Sequence, residues 1–232
     1  MNPVAIEPLG EDALLLRLDR RIDPAVNARV HALAQRLQDA RLPWLRELVP
    51  AYASLALCLD PGMPLDAAAD AVRALLDGDG PAQTGPAAPA ATLEIPVCHA
   101  PAFAPDLDAL AARAGLDRAG AIALHCAGEY RVAMTGFAPG FPYLLGLDPR
   151  LATPRLATPR PRVAAGSVAI GGAQTGIYPR EGPGGWHLVG RTPAALFDPA
   201  REPPCLLAPG ATVRFVAIDE ARFHALAAGA GP

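Results

Sequence analysis

The stretch GSVAIGGAQTGIYPREGPGGWHLVGR, residues 166–191, decides the fold of this chain. Eight of its 26 residues are Gly, so the backbone must often take φ > 0 or come very close to a neighbour. Its apolar residues fall in short runs, SVAI and WHLV, cut by Gly and Pro. The same texture extends outward, to YRVAMTGF from residue 130 and to ATVRFVAI from residue 211. Evenly spaced short strands with such punctuation predict a small β barrel or sandwich. No GxGxxG follows a strand, so the glycines do not read as a dinucleotide site.

Upstream the pattern is different. ALLLR from residue 13 reads as a strand, and Val26, Val30, Leu33 and Leu37 mark a helix with Asp23 as N-cap before Pro24. Apolar segments over 45–49 and 52–59 read as strands, and a second helix over 64–76 stops at Gly78. This β-α-β-β-α order lacks one strand of a split β-α-β (ferredoxin-like) unit, which LEIPV at 93–97 could supply unless it opens the next domain. Residues 77–92, with three Pro and three Gly, read as a linker or exposed loop. The predicted fold class is therefore α+β. An N-terminal α/β domain spans 1–80, a linker or loop 81–92, and a β-rich domain, barrel or sandwich, 93–232, with helices near 105–115 and 117–127.

Composition excludes whole classes of chemistry. All 20 basic residues are Arg, so no Schiff base, P-loop lysine or kinase lysine can form in this chain. Residues 1–125 carry 10 Arg against 16 acids, whereas residues 126–232 carry 10 Arg against 7. Neither half is basic enough for nucleic acid, but the positive half suits a small anionic ligand or an acidic partner. The four Cys show no CxxC or CxxH spacing, so neither a zinc site nor a disulfide framework is expected. No apolar run approaches membrane-spanning length and the N-terminus lacks a signal-peptide pattern, so the expected location is cytoplasmic.

Two further segments stand out. GFAPGFPYLLG, 136–146, holds three Gly and two Pro, which excludes regular helix or a central strand. Its aromatics suggest either a preformed pocket wall or the filling of a barrel end. LATPRLATPR, 151–160, repeats with a period that fits neither helix nor strand, so an extended, loosely packed loop is expected. With Arg150 and Arg162 it crowds four Arg into 13 residues, a pattern suited to carboxylate or phosphate and equally to a solvated basic loop. Ser167, outside any GxSxG, reads as a strand-start hydroxyl. His125 and His187 are the general-base candidates by type, though a His in an apolar helix more often packs.

These motifs carry a family resemblance. Tyr130-Arg-Val, GFAPGFPYLLGL (136–147), TPRPRVAAGSVAIGGAQTGIYP (158–179), GPGGWHLVGRTP (182–193) and LFDP (196–199) make the chain similar to one family. That family contains the B subunit of 5-oxoprolinase (PxpB), the sporulation kinase inhibitor KipI and the first subunit of allophanate hydrolase. Two departures are Ala164 in place of a usual Pro and Gly182 in place of a usual Ser. The resemblance implies a cyclophilin-like barrel after the N-terminal domain. It also implies a chain that works with a homologous barrel protein (the C subunit) and a separate A subunit. Together they hydrolyse 5-oxo-L-proline to L-glutamate, the complex using ATP and this chain binding no cofactor and no metal. The alternatives within the resemblance are a carboxyltransferase half in urea metabolism and a histidine-kinase inhibitor. From side-chain chemistry and motif density, Arg155, Arg160, Gln174, Tyr178 and Arg191 are expected to face the ligand. Phe141, Tyr143 and Trp186 are expected as walls, and His125 is the candidate for acid/base work.

Overall fold

A computed structural model describes residues 4–77 and 92–229, and the chain divides into two compact units, residues 1–89 and 90–232. The expected helix stop at Gly78 and nearly all of the expected linker lie outside the described residues.

The first unit is a four-stranded antiparallel sheet with two helices. β1 (Ala5–Pro8), β2 (Ala13–Arg17), β3 (Leu45–Pro50) and β4 (Ser54–Leu59) lie in the order β1-β2-β4-β3. α1 (Pro24–Asp39) begins where the Asp23 carboxylate accepts from the backbone of Ala25 and Val26, and α2 (Leu65–Asp77) follows β4. Leu14, Leu16, Leu55, Leu57 and Leu59 point from the sheet to one face and pack on Val26, Val30, Leu33, Leu37 and Val72 of the helices. This alternation is the period-2 pattern meeting the period-3.6 pattern. β2-α1-β3 is the expected split unit, with β4 between its strands. The remaining edge position is filled by β1, upstream of β2, and not by Leu93–Val97.

That segment opens the second unit. β5 (Leu93–Cys98), α3 (Leu107–Arg113), α4 (Arg118–Ala127), β6 (Tyr130–Thr135) and β7 (Pro142–Leu145) are followed by β8 (Arg160–Val163), β9 (Ser167–Gly171) and β10 (Gln174–Ile177). β11 (Gly182–Gly184), β12 (His187–Arg191), β13 (Thr212–Ile218) and α5 (Glu220–Gly229) complete it. Seven strands close a barrel in the order β10-β7-β6-β13-β5-β12-β9, and β8 with β11 form a separate two-stranded ribbon. β5 and β13, the first and last barrel strands in sequence, pair in parallel over six residues each and so tie the unit's ends together. Ile95, Val97, Val132, Leu144, Val168, Ile170, Ile177, Val189 and Phe215 fill the core with Leu107, Leu110 and Ala121 of the helices.

Two expectations are corrected. Residues 142–145 are a regular barrel strand, paired with both β6 and β10. Its Pro stands at the first strand position, where a missing donor does no harm, and Gly136, Gly140 and Gly146 fall outside it. The LATPR segment is tied down rather than loose. Asp148 starts a short 3₁₀ turn over Pro149–Leu151, and Thr153 exchanges two backbone hydrogen bonds with Gly172. The Leu156 amide donates to the Gly185 carbonyl at 2.7 Å, and the second repeat runs into β8.

Candidate functional site

A second hydrophobic cluster lies apart from the barrel core, built from Phe141, Val163, Ala169, Tyr178, Trp186 and Leu188 with Tyr143 packed against it. Its rings meet edge to face: Phe141 lies 5.2 Å from Tyr178 and 5.7 Å from Trp186, and Tyr143 lies 5.9 Å from Trp186. Here the glycines find their use. A Cβ on Gly171 would sit 2.6 Å from the Trp186 ring, and one on Gly184 would sit 2.2 Å from the Tyr178 hydroxyl. Bare backbone lets both rings approach the strands this closely.

Beside this cluster opens a cavity of about 160 Å³ lined by Phe137, Phe141, Tyr143, Arg155, Leu156, Pro159, Tyr178, Gly184, Gly185 and Trp186. Five of the residues expected from sequence line it: Phe141, Tyr143, Arg155, Tyr178 and Trp186. The Arg155 guanidinium stands 5.7 Å from the centre of the Trp186 ring and makes no ion pair among the described residues. Burial pushes the Tyr143 and Tyr178 phenols up, with Arg155 opposing in both and a hydrogen bond from the Trp186 backbone opposing in Tyr178. Both phenols are therefore protonated at neutral pH. No carboxylate and no imidazole line the cavity. It is an apolar-walled site with one cation and two hydroxyls, which suits a small anion with a flat apolar body.

The other expected residues stand elsewhere. Of the four crowded arginines, three are ion-paired: Arg150 with Asp148, Arg160 with Asp106 and Arg162 with Glu181, at 2.9, 2.7 and 2.8 Å. The chain folds acids from outside the segment onto it, and only Arg155 keeps its charge for the cavity. Arg191, at the far end of β12 from Trp186, donates to the Ala165 carbonyl at 2.8 Å and sits over the rings of Phe103 and Phe223. Gln174 pairs with Gly171 across the β9–β10 hairpin but does not line the cavity.

His125 belongs to the barrel core. It is 3% exposed, stacks on Phe215 at 4.6 Å, and contacts the Thr175 hydroxyl at 3.1 Å. That hydroxyl donates to the Ala169 carbonyl, so His125 Nε2 carries the proton and Nδ1 has no hydrogen-bond partner among the described residues. Burial, then the neighbouring His99, lowers its pKa to about 3. The unfolded chain takes up this proton near pH 6.5 and the folded chain refuses it, so stability is full above 6.5 and falls as pH drops toward 3. His99, also lowered by burial, acts in the same direction. Between pH 7 and pH 5, urea unfolding should show a loss roughly 2 kcal/mol larger for the native chain than for His125→Phe.

Sequence reading missed Phe137. This residue has φ of +69° without being Gly, is 62% exposed, and lines the cavity edge-on to Phe141 and Tyr178. Such a combination of strain and exposure is typical of ligand contacts. Phe137→Gly should be more stable than Phe137→Ala by about 1 kcal/mol in urea unfolding, because Gly relieves the left-handed backbone. Both variants should weaken ligand binding to a similar degree.

All four cysteines are free, and no three His, Cys, Asp or Glu side chains among the described residues are grouped to hold a metal. No described helix is long and apolar enough to cross a membrane.

The class defined by this fold agrees with the comparisons. The carboxyltransferase domain family, subdomain C and D, matches residues 4–207. The chain is 40% identical to the 5-oxoprolinase B subunit of Bacillus subtilis over 95% of both chains. It is 43% identical to that of Escherichia coli over 90% of this chain and 93% of the other. The chain belongs to this carboxyltransferase-domain family, among the 5-oxoprolinase B subunits. The crystal structure of TTHA0988 superposes with a TM-score of 0.78 at 40% identity, covering 89% of this chain and 40% of that longer one. Urea carboxylase of Kluyveromyces lactis, at 19% identity and a TM-score of 0.72 over 96% of this chain and 22% of its own, shares the fold.

Proposed function

We propose that this chain is the B subunit of an ATP-dependent 5-oxoprolinase. With a homologous barrel protein, the C subunit, and with the A subunit, it hydrolyses 5-oxo-L-proline to L-glutamate. In that reaction the lactam C–N bond breaks, water supplies the new carboxylate oxygen, and the ring nitrogen leaves as the amine. The observation that carries the reading is the cavity around Arg155. Its ~160 Å³ is close to the ~150 Å³ that holds a benzene-sized ring. Its single unpaired cation faces aromatic walls and no acid. Kinship to the B subunits supports the same assignment. In this reading the carboxylate of 5-oxoproline, or of its phosphorylated form, pairs with Arg155, and the ring lies against Trp186 and Phe141. Tyr143 and Tyr178 donate hydrogen bonds.

The chain itself holds no cofactor in this proposal. With no lysine it lacks the usual phosphate-binding side chain, and with no base at the cavity it supplies binding rather than the whole reaction. ATP is handled by another component of the complex, which works in the cytoplasm.

Co-purification with the A and C subunits tests this. The three chains together should release glutamate from 5-oxoproline only when ATP is present, and omission of this chain should abolish release. Activity on urea in place of 5-oxoproline, or tight binding to a histidine kinase with no hydrolysis, would replace the proposal.

A further inference from the structure

Asp106 occupies the N-cap position of α3, yet its carboxylate makes no capping hydrogen bond to that helix. An Asp there ordinarily caps. Instead its Oδ2 accepts from the Leu188 amide at 2.7 Å and its Oδ1 accepts from Arg160 Nη2 at 2.7 Å. The Asp106 amide returns a hydrogen bond to the Leu188 carbonyl at 3.2 Å. β12 pairs with β5 only at Arg191↔Cys98, so at Leu188 this edge of β12 has no strand beside it. Asp106 satisfies both backbone groups there, in place of a strand. Arg160 uses its second nitrogen, Nη1, to reach the Trp186 carbonyl at 3.4 Å. The pair is largely screened from solvent, with side chains 15% and 31% exposed.

Neither residue lines the cavity, but both are joined to its walls. Arg160 follows Pro159 directly, and Leu188 is two residues beyond Trp186. Pro159, just before β8, and Trp186, just before β12, are lining residues from segments distant in the chain. We propose that Asp106 is a positioning residue. Through Arg160 and the Leu188 backbone it fixes the spacing of Pro159 and Trp186, and so sets the grip of the cavity on its ligand. Arg160 is then a brace, and its charge is not available to the substrate. A charged, mostly buried clip that engages both carboxylate oxygens, one by Arg160 and one by the Leu188 amide, holds a wall more firmly than apolar packing does, because its directions are fixed as well as its distance. The effect on the ligand rests on the cavity being the substrate site, but the effect on Trp186 does not.

The experiment uses Trp44→Phe as background, since Trp44 is the only other Trp in the chain. Emission and acrylamide quenching then report on Trp186 alone. Asp106→Asn and Arg160→Ala should red-shift the emission and speed the quenching, and Arg160→Lys, which keeps the charge but loses the fork, should fall between. Arg162→Ala is the control, because it removes a neighbouring exposed ion pair, Arg162–Glu181, from the same strand. In the assembled three-component enzyme, Asp106→Asn should raise KM for 5-oxoproline ~10-fold with kcat nearly unchanged. If folded Asp106→Asn and Arg160→Lys match Arg162→Ala in both fluorescence readings, the positioning role is overturned. If the assembled native enzyme does not hydrolyse 5-oxoproline, the proposed function fails, and the Trp186 readings still decide for or against the clip.

Discussion

Arg155→Ala should raise KM for 5-oxoproline in the assembled enzyme by ~10- to 100-fold, the largest functional effect expected of a single substitution in this chain. The reasoning is electrostatic. Arg155 is the one cation lining the cavity, and no acid shares that cavity to claim it. A hydrogen bond between two charged groups is worth ~1.5–3 kcal/mol, and every 1.4 kcal/mol is about tenfold in binding. Its fork geometry matters too. Arg155→Lys should recover only part of the loss, because an ammonium cannot meet both carboxylate oxygens in one plane. Because the guanidinium lies over Trp186, the same variants should change Trp186 fluorescence in the free chain. Steady-state kinetics across 5-oxoproline concentrations, with ATP saturating, checks the prediction. An unchanged KM would place the substrate carboxylate somewhere other than at Arg155.

The largest effect on stability is expected at Gly166, in the Ala-Gly-Ser motif before β9. Its φ is +79°, and an added Cβ would stand 2.2 Å from the Thr192 carbonyl oxygen. The obstruction is backbone, so no side-chain rotation can relieve it. The surroundings are fixed as well, since the Gly166 amide donates to the Tyr178 carbonyl at 2.7 Å and its carbonyl accepts from Thr192 at 2.9 Å. Strain and clash together should make Gly166→Ala cost more than ~3 kcal/mol, lowering Tm by ~10 °C. Gly172→Ala separates the two causes. Its φ of +65° is similarly left-handed, but nothing lies within 4 Å of the added Cβ, so only conformational strain of about 1 kcal/mol should appear. Equal losses at both positions in urea unfolding would show that the Thr192 contact gives way.

These cases show how differently the parts of this protein can be read from its chain. The glycines were legible as a demand for close approach or unusual φ, and both uses occur, at Gly171 under Trp186 and at Gly166 beside Thr192. The aromatic and cationic members of the cavity were legible as residue types, and the fold brings Phe141, Tyr143, Arg155, Tyr178 and Trp186 to one place. The Arg cluster was misleading, because a local count does not reveal that Asp106 and Glu181, 54 and 19 residues away from their partners, neutralise Arg160 and Arg162. Asp106 itself looked like an ordinary residue before a helix. Phe137 looked like one more aromatic until its backbone angle and exposure were known.

Sequence by itself determined the two helices of the first unit, the strands flanking them, the exclusion of lysine chemistry, and the presence of strands broken by Gly and Pro. Those properties depend on spacing, backbone freedom and residue type, which are local. Which strand completes the first sheet, which arginine keeps a free charge, and whether His125 faces a ligand or the core were decided only by the tertiary structure. Each depends on partners distant in the chain, and burial, pairing and pKa are properties of the assembled neighbourhood rather than of the residue.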